Sequence, residues 1–413
     1  MLHPKMRHVY VGLDIHRQTH TAAIINCFGE KLGEITFNNK PADFGRLLKE
    51  VNSHIGVGIT PVFGLEDVQS SGRSLAIFLL GKNKAVKYVN PSLTYSERHN
   101  QTILHKTDSH DALCVARVLL NRMDELPDAD PKDTFWMLSQ LVSRRTAMVK
   151  ASVALKNQIH AYIIHHYPSY RKFFYVFDCK TALEFWERYP SPEKLKGADA
   201  KMLTEFLKQQ SHGFFTEKKA TEILEYVEKD GDTTNEYQET RDFLVSSAVR
   251  QLKANIVEIA GVEKQIKELL PLFGYKLETM KGIDSTTAAL LIAEIGDIHR
   301  FSSADKLAKY AGISPVSYSS GKTDKLLCNV LGDRKLNRVF FTLAVTVVNC
   351  AGDSGKPVNE IFHRYYKKKI SEGKTKKQAL KCVMRRLVNI IYGMMKNKTE
   401  YREPDTKMLT EVL

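Results

Sequence analysis

The alternation of apolar and polar side chains in the first 130 residues predicts a mixed α/β domain. From His8 to Asp14, apolar side chains at the odd-numbered positions share one face, which is typical of a strand. The predicted elements, in order, are strands at 8–14, 21–27 and 32–37, a helix near 43–51, a strand at 62–66, a helix near 74–80 and a strand at 85–89. A turn at Phe28-Gly29-Glu30 makes the first three strands an antiparallel meander. Three antiparallel strands followed by alternating helix and strand is the order of the ribonuclease H fold.

Beyond residue 130 the apolar spacing changes to three and four, which predicts long helices with heptad character. The first stripe is Leu138, Leu141, Arg145, Met148, Ser152, Leu155, Ile159 and Tyr162, and the second is Val245, Leu252, Ile259, Val262, Ile266 and Leu269. The two helices could pair with each other or build a dimer. Residues 166–243 predict short amphipathic helices, broken at 190–192 and 230–232, and show no catalytic chemistry.

The last part of the chain predicts a mainly helical domain. Residues 280–288 have the shape of a helix-hairpin-helix, in which Gly282 allows the turn and Ser285 caps the next helix. A helix at 306–310 is stopped by Gly312, and a polar, flexible loop is predicted at 314–323. The fold class is therefore α/β plus all-α, with a ribonuclease H-like domain at 1–130, a helical coiled-coil region at 131–275 and a C-terminal domain at 276–413.

The charge pattern indicates a polyanionic partner. The formal net charge is +14, and Lys and Arg crowd the C-terminal third, which favours nucleic acid over a merely solvated face. Predicted nucleic-acid contacts are Arg144, Arg145, Lys150, Lys156, Lys281, Lys322, Lys374, Lys376, Lys377, Arg385 and Arg386.

Targeting and cysteine signals place the chain in a reducing compartment. No apolar run is long enough to span a bilayer, and the first residues lack the apolar core of a signal peptide. The six cysteines are scattered without a Cys-x-x-Cys pair, so we expect reduced thiols rather than a zinc site. A cytoplasmic, bacterial, nucleoid-associated protein is the resulting expectation.

Four carboxylates carry the candidate chemistry: Asp14, Glu66, Asp108 and Asp111. Asp14 and Glu66 close predicted strands, while Asp108 and Asp111 lie three apart at the start of a helix, on one face. Two strand-end acids facing an acidic pair can hold two hard cations roughly 4 Å apart, as phosphoryl transfer requires. The structural alternative is that strand-end acids are solvated and the helical pair only complements the helix dipole.

Two segments resemble a known family. Asp14, Glu66 and Lys106-Thr107-Asp108-Ser-His-Asp111-Ala are similar to the DEDD, RuvC-like domain of the Piv-type insertion-sequence transposases, also called the "one-ten" insertion-sequence family. Tyr310-Ala-Gly-Ile-Ser-Pro315 with Tyr318-Ser319-Ser320-Gly321 resembles the signature loop of their C-terminal transposase domain. The tail from Gly373 to Gly393 is also similar, whereas the middle matches loosely and the loop Asp67–Gly72 is longer than in many members.

The resemblance implies a DNA transposase whose carboxylates bind Mg²⁺ and whose serine, here Ser320, attacks a DNA phosphate to give a covalent intermediate. It also implies a structured noncoding bridge RNA that pairs with donor and target double-stranded DNA. A homo-oligomer, dimer or tetramer, would then share each active site between protomers. Ser317, Ser319 and Tyr318 are the neighbouring alternatives as nucleophile.

Two other functions stay open from the sequence. A metal-dependent RuvC-like nuclease or junction resolvase would use water as the nucleophile and make Ser320 irrelevant. A non-catalytic RNA- or DNA-binding protein with a degenerate acidic site is the third interpretation, although all four acids are present.

Overall fold

A computed structural model describes residues 3–68, 70–99, 107–129, 131, 133–320, 323–327, 329, 332–351 and 355–403 of the chain. These residues form two compact units. The sheet unit contains residues 1–137 and 296–302, and the helical unit contains residues 138–295 and 303–413. The predicted separation of 131–275 from 276–413 stays a prediction.

The sheet unit has the mixed sheet and helices expected from the sequence pattern. Its elements are β1 His8–Ile15, β2 Thr19–Ile25, β3 Lys31–Asn38, α1 Pro41–Ser53, β4 Thr60–Leu65, α2 Arg73–Gly81, β5 Ala85–Tyr88, α3 Pro91–His99 and α4 Asp108–Arg122, after a 3-10 turn at Pro4–Arg7. The strand order is β3-β2-β1-β4-β5, antiparallel from β3 to β1 and parallel from β1 to β5. This order is consistent with a ribonuclease H-like domain. Helix α3 was not predicted.

The two faces of β1 pack against different helices. Odd-numbered side chains such as Val11 and Leu13 share a core with residues of α1 and α2, whereas the even-numbered Tyr10 packs with Val115 and Leu119 of α4. Alternation along a strand therefore sends every even position of β1 toward α4. A carboxylate at an even position beyond the apolar stretch faces that same helix.

A long helical pair organises the first part of the helical unit. Its elements are α5 Asp133–His166, which begins in the sheet unit, α6 Lys180–Arg188, α7 Pro192–Leu195, α8 Ala200–Ser211, α9 Glu217–Asp230 and α10 Gln238–Leu269. Side chains at 155–163 of α5 share one core with those at 245–252 of α10. Nearer the other end, Arg145 Nε and Nη2 each lie 2.7 Å from Glu263 Oε1. The two heptad stripes therefore run antiparallel and pair within one chain, the first of the two predicted alternatives.

The C-terminal part of the helical unit is built mainly from helices. Its elements are α11 Ser285–Ile295, α12 Ala304–Tyr310, β6 Val316–Ser320, β7 Thr323–Leu327, α13 Arg334–Val348, β8 Cys350–Ala351, β9 Lys356–Pro357, α14 Glu360–Ser371 and α15 Lys376–Asn397. Short 3-10 turns lie at Tyr170–Lys172, Leu270–Phe273, Leu277–Thr279 and, in the sheet unit, Ile298–Arg300. Among the described residues, no helix combines the length and apolar character that crossing a bilayer requires.

The predicted helix-hairpin-helix is confirmed only in part. Gly282 has a φ of +101° and makes the turn, but the element before it is a single 3-10 turn rather than a helix. The prediction that Ser285 caps the N-terminus of the next helix was wrong by one position, because the capping residue is Asp284. Asp284 Oδ1 accepts the Thr287 backbone N–H at 2.7 Å, and Ser285 is already the first helical residue. An aspartate carboxylate is as good an N-cap as a serine, so the sequence alone did not separate them.

Candidate active site

Asp14 near the end of β1 and Glu66 directly after β4 occupy neighbouring positions at the ends of two parallel strands. Leu13 of β1 pairs with Leu65 of β4, so the residues that follow, Asp14 and Glu66, are side by side. Both are two positions beyond the register pair Gly12 and Gly64, and they point to the same face of the sheet as those glycines.

Helix α4 lies directly on these glycines. A Cβ built on Gly12 would lie 2.1 Å from the Ala116 backbone nitrogen and 2.3 Å from the Ala112 carbonyl oxygen. Glycine is therefore required at position 12 for the helix to approach the strand so closely. As a result the N-terminal turn of α4 lies over the carboxylates of Asp14 and Glu66.

The first turn of α4 carries the other two acids, as predicted. Asp108 is its first residue and Asp111 lies one turn along it; Thr107 caps the helix by accepting the His110 N–H at 3.2 Å. The Ser109 hydroxyl bonds Glu34 of β3, which ties this helix end to the sheet. We refer to Asp14, Glu66, Asp108 and Asp111 as the acid quartet.

His16 bridges two members of the quartet. Its Nε2 lies 2.9 Å from Asp14 Oδ2 and 3.4 Å from Asp108 Oδ1. One ligand atom from each of Asp14, His16 and Asp108 lies within 4.8 Å of the others, a spacing that could hold a metal ion. The sequence interpretation missed His16, although its position two residues after Asp14 was visible.

Burial and the neighbouring charged groups shift the pKa of Asp14. Burial raises the pKa of Asp14 to about 6; the neighbouring His16 lowers it, and the charges of Asp111, Asp108 and Glu66 raise it further. The other three acids are thus close enough to act on the Asp14 carboxyl. Asp14 Oδ2 is buried and, among the described residues, has no hydrogen bond of acceptable geometry despite its close contact with His16.

Helix α3 supplies partners to the two remaining acids. The Thr94 hydroxyl donates to Glu66, and Arg98 Nη2 lies 2.7 Å from Asp111 Oδ1. Sequence reasoning missed both residues because α3 itself was not predicted. Their spacing of four, which puts both side chains on one helix face, was the signal that could have found them.

The loop after Glu66, which departs from the family pattern, is organised by an aspartate. Asp67 accepts the backbone N–H groups of Ser70 at 2.8 Å and Ser71 at 2.7 Å. A Cβ on Gly72 would lie 1.9 Å from the Asp67 carbonyl oxygen, so the loop closes tightly against the end of β4.

The predicted flexible loop around Ser320 is instead a β-hairpin. Strand β6 pairs antiparallel with β7 from Val316↔Leu327 to Ser320↔Thr323. The prediction was wrong because the serine-rich composition hid strands that a two-residue connection can join. Ser320 is the last residue of β6; its side chain and those of Ser317, Tyr318 and Ser319, together with Gly321 and Lys322, lie outside the described residues. We call Val316–Leu327 the serine hairpin.

The base of the serine hairpin is closely packed. A Cβ on Gly332 would lie 2.2 Å from the Gly312 backbone nitrogen, so the chain segments on either side of the hairpin touch through glycines. Asn337 Nδ2 donates to the Ala311 carbonyl at 2.8 Å, and the Asp333 N–H donates to the Tyr310 carbonyl at 2.7 Å. These contacts hold the segments that flank the hairpin.

The predicted nucleic-acid contacts fall into two groups. Some are engaged within the protein: Arg145 with Glu263, Lys156 with Asp178, Lys281 with Glu403, Arg385 with Asp305, and Arg386 over the ring of Tyr365. Exposed residues for which the described part of the chain offers no carboxylate within ion-pair distance are Arg144, Lys150, Lys374, Lys376 and Lys377. Lys322 lies outside the described residues. All eleven stay predictions.

The five described cysteines are free, as expected. Cys114 is buried, Cys27, Cys179 and Cys382 are half-buried, and Cys350 is exposed; Cys328 lies outside the described residues.

Comparison with known protein families matches two separate segments of the chain. Residues 11–168 match the DEDD transposase family of IS110, and residues 274–367 match the Transposase IS116/IS110/IS902 family. The first range contains the acid quartet and the second contains the serine hairpin.

Curated relatives match over nearly the whole chain. The 43.6 kDa protein of insertion element IS110 from Streptomyces coelicolor is 24% identical, covering 95% of this chain and 95% of its own. The 44.8 kDa protein of insertion element IS116 from Streptomyces clavuligerus is 25% identical, covering 94% and 95%. The pilin gene-inverting protein of Moraxella bovis is 23% identical, covering 96% and 98%.

Proposed function

This chain belongs to the IS116/IS110/IS902 family of transposases, and we propose that it cuts and rejoins DNA through Ser320 with divalent ions held by the acid quartet. Recombination of DNA is the activity that the family implies. The proposal goes beyond DNA recombination in three respects: the serine nucleophile, the divalent metal and the guide RNA.

One observation carries the metal assignment: burial raises the pKa of Asp14 to about 6 against the lowering effect of His16, and the nearby charges of Asp111, Asp108 and Glu66 raise it further. Such a concentration of negative charge is unfavourable unless a cation neutralises it. All four groups supply oxygen ligands, the type that Mg²⁺ prefers, and within the described part of the chain the buried Oδ2 of Asp14 has no well-formed hydrogen bond. The residues present therefore fit Mg²⁺, with His16 and Arg98 supplying the nearby cationic or polar partners in its absence.

Each side chain has a role that follows from its position. Asp14 and Glu66 are fixed by the sheet, so they define the site, while Asp108 and Asp111 close it from the helix. When bound, two Mg²⁺ ions supply Lewis-acid stabilisation to the attacking and departing oxygens. Thr94 orients Glu66, and Arg98 balances the charge of Asp111.

Ser320 is proposed as the nucleophile. Its hydroxyl oxygen forms a bond to a DNA phosphorus and loses its proton, while the bond from phosphorus to the departing DNA oxygen breaks and that oxygen gains a proton. The serine phosphodiester keeps the free energy of the broken linkage, so attack by a DNA hydroxyl reverses the step and rejoins strands. The acids and the serine can come from one chain or from two protomers of a homo-oligomer.

A noncoding guide RNA completes the proposal. The basic surplus of the chain, together with exposed basic side chains such as Arg144 and Lys150 that have no carboxylate within ion-pair distance among the described residues, supports binding of both RNA and double-stranded donor and target DNA. Guided pairing would take over sequence recognition from the protein.

The test is a denaturation-resistant protein–DNA adduct, formed with labelled donor DNA, Mg²⁺ and RNA transcribed from the element. We expect Ser320→Ala to abolish the adduct, Asp14→Asn to reduce it at least ~100-fold, and the control Ser319→Ala to retain it. Cleavage that persists in Ser320→Ala without an adduct would support a water-using nuclease instead. An adduct that forms equally without RNA would remove the guide RNA from the proposal.

A further inference from the structure

The helical unit contains an aromatic pocket that the proposed chemistry does not use. A cavity of about 270 Å³ opens between α5, the turn at Tyr170–Lys172 and α6. The side chains that matter for its chemistry are His160, Tyr170, Arg171, Tyr175, Phe177 and Trp186, which we call the aromatic pocket. All of them lie within the helical unit.

Three rings of the pocket are stacked in series with nearly parallel planes. His160 lies on Phe177 with ring centroids 3.9 Å apart and planes at 29°, and Phe177 lies on Trp186 at 5.7 Å and 27°. Trp186 is fully buried, and its Nε1 donates to the Phe177 carbonyl at 3.3 Å. The stack is therefore held in place before any ligand arrives, which reduces the entropy lost on binding.

The polar groups of the pocket are equally ordered. His160 Nδ1 lies 2.9 Å from the Tyr170 hydroxyl, and Arg171 Nε donates to the same oxygen at 3.2 Å. Burial and the adjacent Arg171 lower the pKa of His160, which favours a neutral ring. The guanidinium also lies over the Tyr170 ring, 5.8 Å from its centroid.

Two exposed side chains are available to a ligand at the pocket. The Arg171 Nη groups have no carboxylate within ion-pair distance among the residues that the structure describes, and Arg171 is exposed. The ring of Tyr175 is also fully exposed. A ligand with a planar group could stack on the ring of Tyr175, and an anionic group of the same ligand could bind the guanidinium of Arg171.

We propose that the aromatic pocket binds one unpaired nucleotide of a single-stranded nucleic acid, its base against the aromatic rings and its phosphate on Arg171. The cavity volume lies just below the roughly 300–1,000 Å³ of sites for larger ligands, so it suits one base rather than a paired unit. Stacking of exposed bases on aromatic side chains beside basic groups is a general mode of single-strand binding. The net charge of +14 favours a nucleic acid over an uncharged aromatic ligand.

The test measures binding of fluorescein-labelled ten-nucleotide RNA, single-stranded DNA and duplex DNA to the full chain in EDTA. Tyr175→Ala and Arg171→Gln change exposed side chains, so circular dichroism should stay native; Phe243→Ala, an exposed aromatic on α10, is the matched control. We expect each pocket variant to weaken single-strand binding on the order of tenfold, with duplex binding and the control unchanged. The strand type that shows the loss, RNA or DNA, identifies the source of the nucleotide.

A second readout uses the tryptophan in the pocket. In a Trp136→Phe background the remaining tryptophan, Trp186, should be quenched by the single strand and not by the duplex. Equal losses for duplex and single strand, or losses below twofold in both variants, would overturn the proposal. Quenching by a phosphotyrosine peptide but by neither single strand would also overturn it. Because the binding assay is run in EDTA, a negative result would not bear on Ser320 as nucleophile. A negative adduct assay with Ser320→Ala would likewise not bear on nucleotide binding by the aromatic pocket.

Discussion

The acid quartet and the serine hairpin are held by different kinds of structure. Behind the quartet lie a five-stranded sheet, two buried cores and a helix in backbone contact with Gly12. The serine hairpin is two strands of five residues, and the contacts that flank it are at its base. If the quartet holds metal as proposed, it needs rigid support, because relaxation of the chain would separate the four like charges instead of concentrating them.

The hairpin meets a different requirement. Ser320 ends β6 at the two-residue connection, so it lies at the end of the hairpin away from Gly312 and Gly332. A nucleophile at this position, as proposed for Ser320, can reach a substrate that the residues at the base of the hairpin do not contact. We therefore expect a substitution that moves α4 away from β1 to abolish metal binding by the acid quartet. A substitution at the base of the serine hairpin should leave metal binding unchanged.

The largest effect is expected from Gly12→Ala. The new Cβ would lie 2.1 Å from the Ala116 backbone nitrogen, so α4 must move away from β1 and carry Asp108 and Asp111 with it. We expect the free energy of unfolding to fall by about 3 kcal/mol or more, measured by urea denaturation. The Mg²⁺-induced rise in melting temperature should be lost as well.

The matched control for this prediction is Gly45→Ala in α1. Nothing lies within 4 Å of a Cβ at position 45, and alanine is the better helix former by roughly 1 kcal/mol. Gly45→Ala should therefore keep or increase stability. Wild-type stability and metal response in Gly12→Ala would show that α4 does not need this close approach.

An intermediate effect is expected from Gly332→Ala at the hairpin base. Its Cβ would lie 2.2 Å from the Gly312 nitrogen, and separating the two segments should cost roughly 1–3 kcal/mol. Adduct formation should fall while the Mg²⁺-induced thermal shift remains, since the quartet is not touched. Gly393→Ala in α15, where nothing lies within 4 Å, is the control. Loss of the metal response in Gly332→Ala would contradict the independence of the two regions.

The smallest effect concerns protonation of Asp14 without metal. Its pKa is raised from 3.8 to about 6 in the folded protein, so across that interval the folded state binds more protons than the unfolded state. The free energy of unfolding therefore falls as pH rises from about 4 to 6, by roughly 2 kcal/mol for this group. Urea denaturation in EDTA should show a clearly weaker decline for Asp14→Asn. An identical decline in both proteins would assign it to other groups.

Periodicity explains which parts of this molecule could be predicted. The strand from His8 and the acids at strand ends follow from alternation and from the spacing of three between Asp108 and Asp111, because buried sheets and helices impose those periods. The serine hairpin and α3 escaped prediction because short polar segments carry little periodic signal. His16 and Arg98 lie at visible spacings, two residues after Asp14 and four after Thr94, but a spacing does not show which acid each side chain contacts, because those contacts form only in the tertiary structure.

Thr94 and Arg98 lie on one short helix, so the position of α3 is linked to the charge and metal occupancy of the acid quartet. Glu66 and Asp111 are both contacted from α3, so the position of that helix and the ionic state of the site cannot change independently. A DNA phosphate that draws Arg98 away would leave Asp111 without its counter-charge and strengthen the demand for a divalent ion. Bound DNA would then raise the affinity for the metal, and by thermodynamic linkage bound metal would raise the affinity for DNA by the same factor.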